Sequence, residues 1–526
     1  MSLSWRRRRK PWPTFLLLLA IAISARSLIT IAAATASRPS PIAMATPSTF
    51  CVHHQHSTSR IRHAIRPCPE RSHKRRDSQP QQESEAKMVI NYTCHASNDD
   101  ECAKVQSLLA KASEIITSVL KFETPVHVNA SYLPFCQKLG QCQDSSGTVS
   151  TGQAYPSVSY LMQEENSIRM YPQALLKQYT NLSAQVDWYE YDMNAQFNSE
   201  IDWYFEDDAN SIDKDKTDLL LTIIHELIHG LGFVSAWSDD THERFSIYDP
   251  EMKKFLTPMP LDPPNELPDV SAAVNSESGV QPFWGFVDFP LDKFFYAHNK
   301  VHLAGVTKLL NQWGDGNVMF ATILDMVNAW VGDTNFREQA EKLYRSATTR
   351  GDITIVIDDE QVMVMETSLA PFQDGSSLTH ADESAYASTA DYLMCYSAMR
   401  GVSLADLSKI HKLGPIGPSL VRIMAAMGYH IQSSYNNGSI PQTVQSNITF
   451  WVPPIDLVGT STNPSPAVSV NANGPAHIPS ASATPSSSSS LLSACCTELP
   501  LLLCLFSTFV FFSVSNSHSS LAPLIP

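Results

Sequence analysis

Residues 225–233 read HELIHGLGF, and their types and spacing could do hydrolytic chemistry. On a helix, His225 and His229 stand one turn apart, so both imidazoles leave the same face. Two neutral imidazoles so placed can grip one Zn²⁺. Glu226 follows the first histidine, where its carboxylate can take a proton from a water at the metal's open position. The pattern is that of a zinc hydrolase.

Such a site needs a helix to carry it. Residues 218–224 (DLLLTII) are strongly apolar, as expected of a helix buried through a domain. Asp213 or Asp215 could cap its start, and Gly230 with Gly232 could stop it. A buried helix bearing two histidines and a glutamate is costly unless those groups find partners, which again favours a metal.

A catalytic zinc also needs a third protein ligand and an open position. In metzincins the signature runs HExxHxxGxxH. Here His225, Glu226, His229 and Gly232 match, but Ser235 stands at the last position. His242, His298, His302 and His380 are the downstream candidates, with Asp382 as a carboxylate alternative. His380 lies in GSSLTHADE (375–383) and is followed by Met394 in DYLMCYS (391–397). These segments resemble leishmanolysin-like metzincins, whose third histidine arrives after an insertion and precedes the methionine of the Met-turn. The resemblance implies His380 as third ligand and Met394 as the Met-turn residue. It implies an α+β zincin-like fold with a mixed sheet, a central zinc helix and a long insertion. Tyr396 occupies the M-x-Y position from which, in astacin-like metzincins, a tyrosine steadies the transition state; packing within the turn is the other role open to it.

Peptide hydrolysis suits these parts, because expelling an amine needs charge stabilisation and a proton. The expected activity is therefore that of a secreted or cell-surface zinc endopeptidase acting on polypeptide. A silent adhesion module on the same scaffold, or a zinc exopeptidase or amidase, are the alternatives. Glu226 separates the first from catalysis, since a binding module needs no base there.

The rest of the chain fits export. Its 526 residues are 43% hydrophobic, enough for one large catalytic domain with flanks. Residues 1–87 hold 15 Lys and Arg against 4 acids; the remainder holds 22 against 48, which argues against nucleic acid as a partner. RRRRK (6–10), the apolar residues 15–23 and small residues near Ala36 read as a signal peptide over 1–36. Residues 37–87 read as a disordered basic pro-region with a processing site at SHKRR (72–76). Cys68 within it is either a spare cysteine or a latency ligand. Cys94, Cys102, Cys136 and Cys142 are disulfide candidates, with connectivity open, and Cys395 is left over. Asn91, Asn129, Asn181, Asn437 and Asn447 head glycosylation sequons.

Residues 88–235 form the expected first catalytic subdomain. Residues 103–121 have helical spacing, VHVNASY (126–132) reads as a strand, and 192–198 alternate as a half-buried strand. By the resemblance, an edge strand there would pair with extended substrate. Residues 236–374 form the insertion, 375–432 the second catalytic subdomain, with 402–427 mostly helical around GPIGP (414–418). A Ser/Pro-rich stalk covers 433–490. The end, 491–526, carries an apolar run at 499–514, short for a span and better matched to a GPI-attachment signal. Oligomeric state leaves no trace in the sequence.

Overall fold

Short alternating segments and two helices build the part of the chain that carries HELIHGLGF. A computed structural model describes residues 49–54, 63–69, 87–143, 149–182, 186–206, 211–261, 281–313, 318–435, 441 and 443–452. The signal peptide, the SHKRR site, Asn437, most of the stalk and the apolar C-terminal run lie outside them. The described residues are mixed α+β.

The chain enters as a hairpin of β1 (Phe50–His54) and β2 (His63–Pro67), stapled by a Cys51–Cys68 disulfide. The expectation of disorder through residue 87 is corrected here. Phe50, Cys51 and Val52 are buried, because β1 pairs antiparallel with residues 158–160 of a strand met a hundred residues later. Cys68 is spent in the disulfide and is no latency ligand. Closing a loop of 17 residues constrains the unfolded chain by about 3 kcal/mol. The double substitution Cys51→Ser, Cys68→Ser should lower stability by about that amount, read as a shifted urea midpoint; an unmoved midpoint would assign the hairpin no stabilising role.

Next come β3 (Met88–Cys94) and α1 (Asp99–Val119). Asn98 caps α1, accepting from Asp100 N at 3.1 Å, and three acids in the first turn complement the helix dipole. One apolar stripe, Val105, Leu108, Leu109, Ala112 and Ile116, faces inward. β4 (Val126–Leu133) and β5 (Gly152–Pro156) follow, then β6 (Val158–Glu164), β7 (Ser167–Pro172) and β8 (Met193–Asn198).

The strands sort into two sheets. The first has the order β3-β4-β8-β5, parallel except for β5, which runs antiparallel along β8 as an edge. Helix α2 (Leu219–Gly230) packs on β5, β8 and α1. The alternating strand 192–198 thus exists but is interior; the edge role falls to β5. GQAYP at 152–156 shows no alternation, since it is buried on both faces. The second sheet centres on β6, with β7 on one side and β1 on the other.

The insertion carries its own four-stranded antiparallel sheet, order β10-β9-β11-β12, from β9 (Phe295–Ala297), β10 (Val301–His302), β11 (Ile353–Ile357) and β12 (Glu360–Val364). Helices α3 (Leu303–Leu310), α4 (Ile323–Gly332) and α5 (Thr334–Ala347) accompany it. A buried ionic cluster ties it to the second sheet: Arg169 reaches Glu164 at 2.8 Å and Asp288 at 2.9 Å, and Lys293 reaches Glu164 at 3.2 Å. After the insertion, α6 (Leu404–Ile410) and α7 (Pro418–Met427) flank the GPIGP break, as expected. The last strand, β13 (Ile448–Phe450), pairs with residues 162–164 of β6. The folded part therefore extends past residue 433, and a stalk beginning there is corrected.

Candidate metal centre

Asp218, not Asp213 or Asp215, caps α2. Its Oδ1 accepts from Leu221 N at 3.1 Å, and its Oδ2 accepts from Leu404 N at 2.7 Å, docking α6 on the same side chain. The helix ends at Gly230, and Gly232 turns the chain at φ +110°, a conformation glycine adopts without strain. That turn places the Phe233 carbonyl 2.7 Å from His229 Nδ1.

His225, His229 and His380 meet. Their Nε2 atoms lie 3.1 Å (225 to 229), 3.2 Å (225 to 380) and 3.1 Å (229 to 380) apart. Each Nδ1 faces a backbone carbonyl: Leu393 O at 2.6 Å for His225, Phe233 O for His229, Ser376 O at 3.1 Å for His380. A carbonyl only accepts, so each Nδ1 carries the proton and each Nε2 presents a lone pair to the common centre. Burial pushes all three imidazoles toward the neutral form; His229, next to His225, is brought down to about 3. Three converging lone pairs repel unless something positive lies between them. Nitrogens roughly 3–3.5 Å apart suit ligands of a four-coordinate zinc at about 2.1 Å, so this donor set could hold one.

Glu226 lies on the same cleft, 7% exposed. It accepts from Ala154 N–H of edge strand β5, while burial pushes its carboxyl up to about 8. A cation among the imidazoles is the kind of neighbour that would bring it back down. Gly152 permits this contact: a Cβ there would sit 3.0 Å from Glu226 Cγ. Neither β5 residue was legible as part of the site, because a short run holding glycine and proline carries no strand period.

The turn that follows His380 holds the group together. Met394 is fully buried in a 3-10 turn, Tyr392–Met394, whose Leu393 carbonyl orients His225. The Met394 carbonyl accepts from Ala381 N at 2.8 Å, beside His380. Tyr396 stands at the cleft, 37% exposed, its phenol hydrogen-bonded to Glu383.

The rival ligands lie elsewhere. His242 packs on Phe255. His298 pairs with Asp352 at 3.3 Å, and His302 bonds the Lys293 carbonyl at 2.7 Å while stacking on Tyr296. These last two sit in a 3-10 turn and a strand rather than on one helix face. Asp382 caps the next short helix through Ala385 N. Ser235 donates to Asp292 at 2.6 Å and so ties the end of the zinc-motif segment to residues 288–294.

Cys94–Cys102 and Cys136–Cys142 form disulfides, and Cys395 is buried and unpaired. Asn91, Asn129, Asn181 and Asn447 are exposed. Among the described residues no helix is long and apolar enough to cross a membrane.

The cleft encloses about 760 Å³. Thr222, His225, Glu226 and His229 of α2 line it, together with Asp218 and Val234 on either side of that helix in the chain.

Comparison with known proteins gives one family and one relative. A family model described as SPBPB7E8-like matches residues 51–471. An uncharacterized protein of Schizosaccharomyces pombe, PB7E8.01, is 25% identical over 373 residues, 65% of this chain and 63% of that protein's length. No solved structure matches.

Proposed function

We propose that this chain, which belongs to the SPBPB7E8-like family, is a zinc-dependent endopeptidase of the metzincin kind. The observation that carries the reading is the convergence of three proton-free Nε2 atoms beside a buried glutamate on one cleft. His225, His229 and His380 would hold the ion. Zinc, when bound, supplies a Lewis acid for the scissile carbonyl and lowers the pKa of water.

The chain's own residues do the rest. Glu226 takes a proton from the attacking water and passes it to the departing amine. Ala154 N–H holds that carboxylate toward the cleft, and three backbone carbonyls fix the imidazole tautomers. Met394, fully buried in the turn whose Leu393 carbonyl orients His225, would be the Met-turn residue. A cleft along a helix of 12 residues, about 18 Å, accepts roughly five residues of extended chain, which favours cutting within polypeptides over trimming ends. Three disulfides suit an oxidising compartment, in keeping with a secreted or cell-surface enzyme, anchored through its C-terminal apolar segment by GPI or a single span.

Purified full-length protein should bind one equivalent of zinc by elemental analysis. Chelation should abolish cleavage of a casein substrate, and added zinc should restore it. Metal-free protein, or cleavage indifferent to chelator, would end this reading.

A further inference from the structure

Two of the glycosylation sequons stand side by side in the folded chain. Asn91 heads Asn-Tyr-Thr in β3, and Asn129 heads Asn-Ala-Ser in β4. The strands run parallel, in a register that sets Asn91 beside Asn129 and Asn129 beside Asn194 of β8. Neighbouring strands lie about 4.8 Å apart, so the three asparagines form a short ladder across the sheet. Asn91 and Asn129 are exposed, whereas Val128 and Ala130, on either side of Asn129, are fully buried. Both asparagine side chains therefore leave the outer face. Nδ2 of Asn129 donates to Asn194 Oδ1 at 3.0 Å, and Nδ2 of Asn91 to the Tyr191 phenol at 2.5 Å. Each bond uses one of the two hydrogens on that nitrogen and leaves the other free to be replaced.

The face itself calls for a cover. Parallel strands are as a rule buried on both sides. Here α1 packs on β3 and α2 on β8 and β5, which closes the inner side. On the outer side Val89, two residues before Asn91, is 41% exposed. The other residues turned outward include Thr93, Ser131, Asn194 and Gln196, all at least partly exposed. An apolar layer would strand these hydroxyls and amides without partners, whereas a sugar meets them with hydroxyls of its own.

We propose that Asn91 and Asn129 both carry N-linked glycans and that the pair covers this face of the sheet. The inference rests on the secretory part of the reading above and not on the metal centre. In the transfer, Nδ2 attacks the anomeric carbon of an oligosaccharide held on a lipid pyrophosphate. The bond from that carbon to the phosphate oxygen breaks, the lipid pyrophosphate leaves with the electron pair, and one amide proton is lost. The sequons are 38 residues apart in the chain, so each is modified separately on the unfolded, entering polypeptide. Folding then brings the two stems to one strand spacing, with Tyr191 next to the first and Asn194 next to the second.

The test uses full-length protein secreted by a eukaryotic host. Thr93→Ala and Ser131→Ala remove the sequons while keeping both asparagines and their hydrogen bonds. Each variant should run faster on a denaturing gel by one glycan, and the double variant by two. Peptide mapping after enzymatic release in heavy-oxygen water should find the label at both asparagines. The cover is read through His127, two residues before Asn129 on the same face. Its carbethoxylation should run severalfold faster in the double variant, and equally so in wild type stripped of glycans without denaturation. His298 of the insertion, its side chain 72% exposed, is the internal reference and should not change. An unmodified Asn91 or Asn129 in protein that carries sugar at Asn181 or Asn447 would overturn this inference alone. Sugar at no sequon would sink the export reading and this inference with it. Equal His127 rates with and without the glycans would overturn the covering role.

Discussion

Glu226→Gln should lower peptide hydrolysis by roughly 10³-fold while zinc stays bound in full stoichiometry. The magnitude follows from removing a general base, an effect of about 10² to 10⁴. Glutamine keeps the shape of the side chain and an oxygen to accept from Ala154 N–H, so the packing against Gly152 is retained. What is lost is the capacity to take and return a proton. The loss should appear in kcat with KM little moved, because the base acts on the transition state. Retention of more than about a tenth of wild-type kcat would remove Glu226 from the chemistry.

His380→Ala should cost more, since it removes one of three donors. Changing a partner behind a metal ligand already weakens affinity by about 10 to 100-fold, so loss of the ligand itself should exceed that range. Zinc titration of the variant should give no saturation at micromolar metal, and the rise in melting temperature that zinc gives the wild type should vanish. His302→Ala is the control: its ring is engaged with the Lys293 carbonyl and Tyr296, and the variant should bind zinc as the wild type does. Normal zinc binding by His380→Ala, or its loss in His302→Ala, would reassign the third donor.

Much of the centre was legible because its signals are local. The i, i+4 spacing of His225 and His229 needs only a helix, and the apolar run before them supplies it. His380 was found through the residues around it, and its meeting with the helix pair is a matter of backbone geometry that the sequence does not encode openly. The parts that are not legible draw their structure from distant partners. The apolar start of FCVHH in β1 is too short to stand out from its Pro/Ser/His/Arg-rich surroundings and becomes a strand by pairing with β6. Edge strand β5 is invisible for the same reason. Asp218 does not read as a cap because it opens the apolar run rather than preceding it, yet its carboxylate serves two helix starts at once.

His380 stands 151 residues beyond His229, on the far side of a segment that carries a four-stranded sheet of its own. On the peptidase reading, a nascent chain still on the ribosome therefore carries two-thirds of a claw. On that reading a chain that ends before residue 380 lacks the third imidazole and cannot complete the centre.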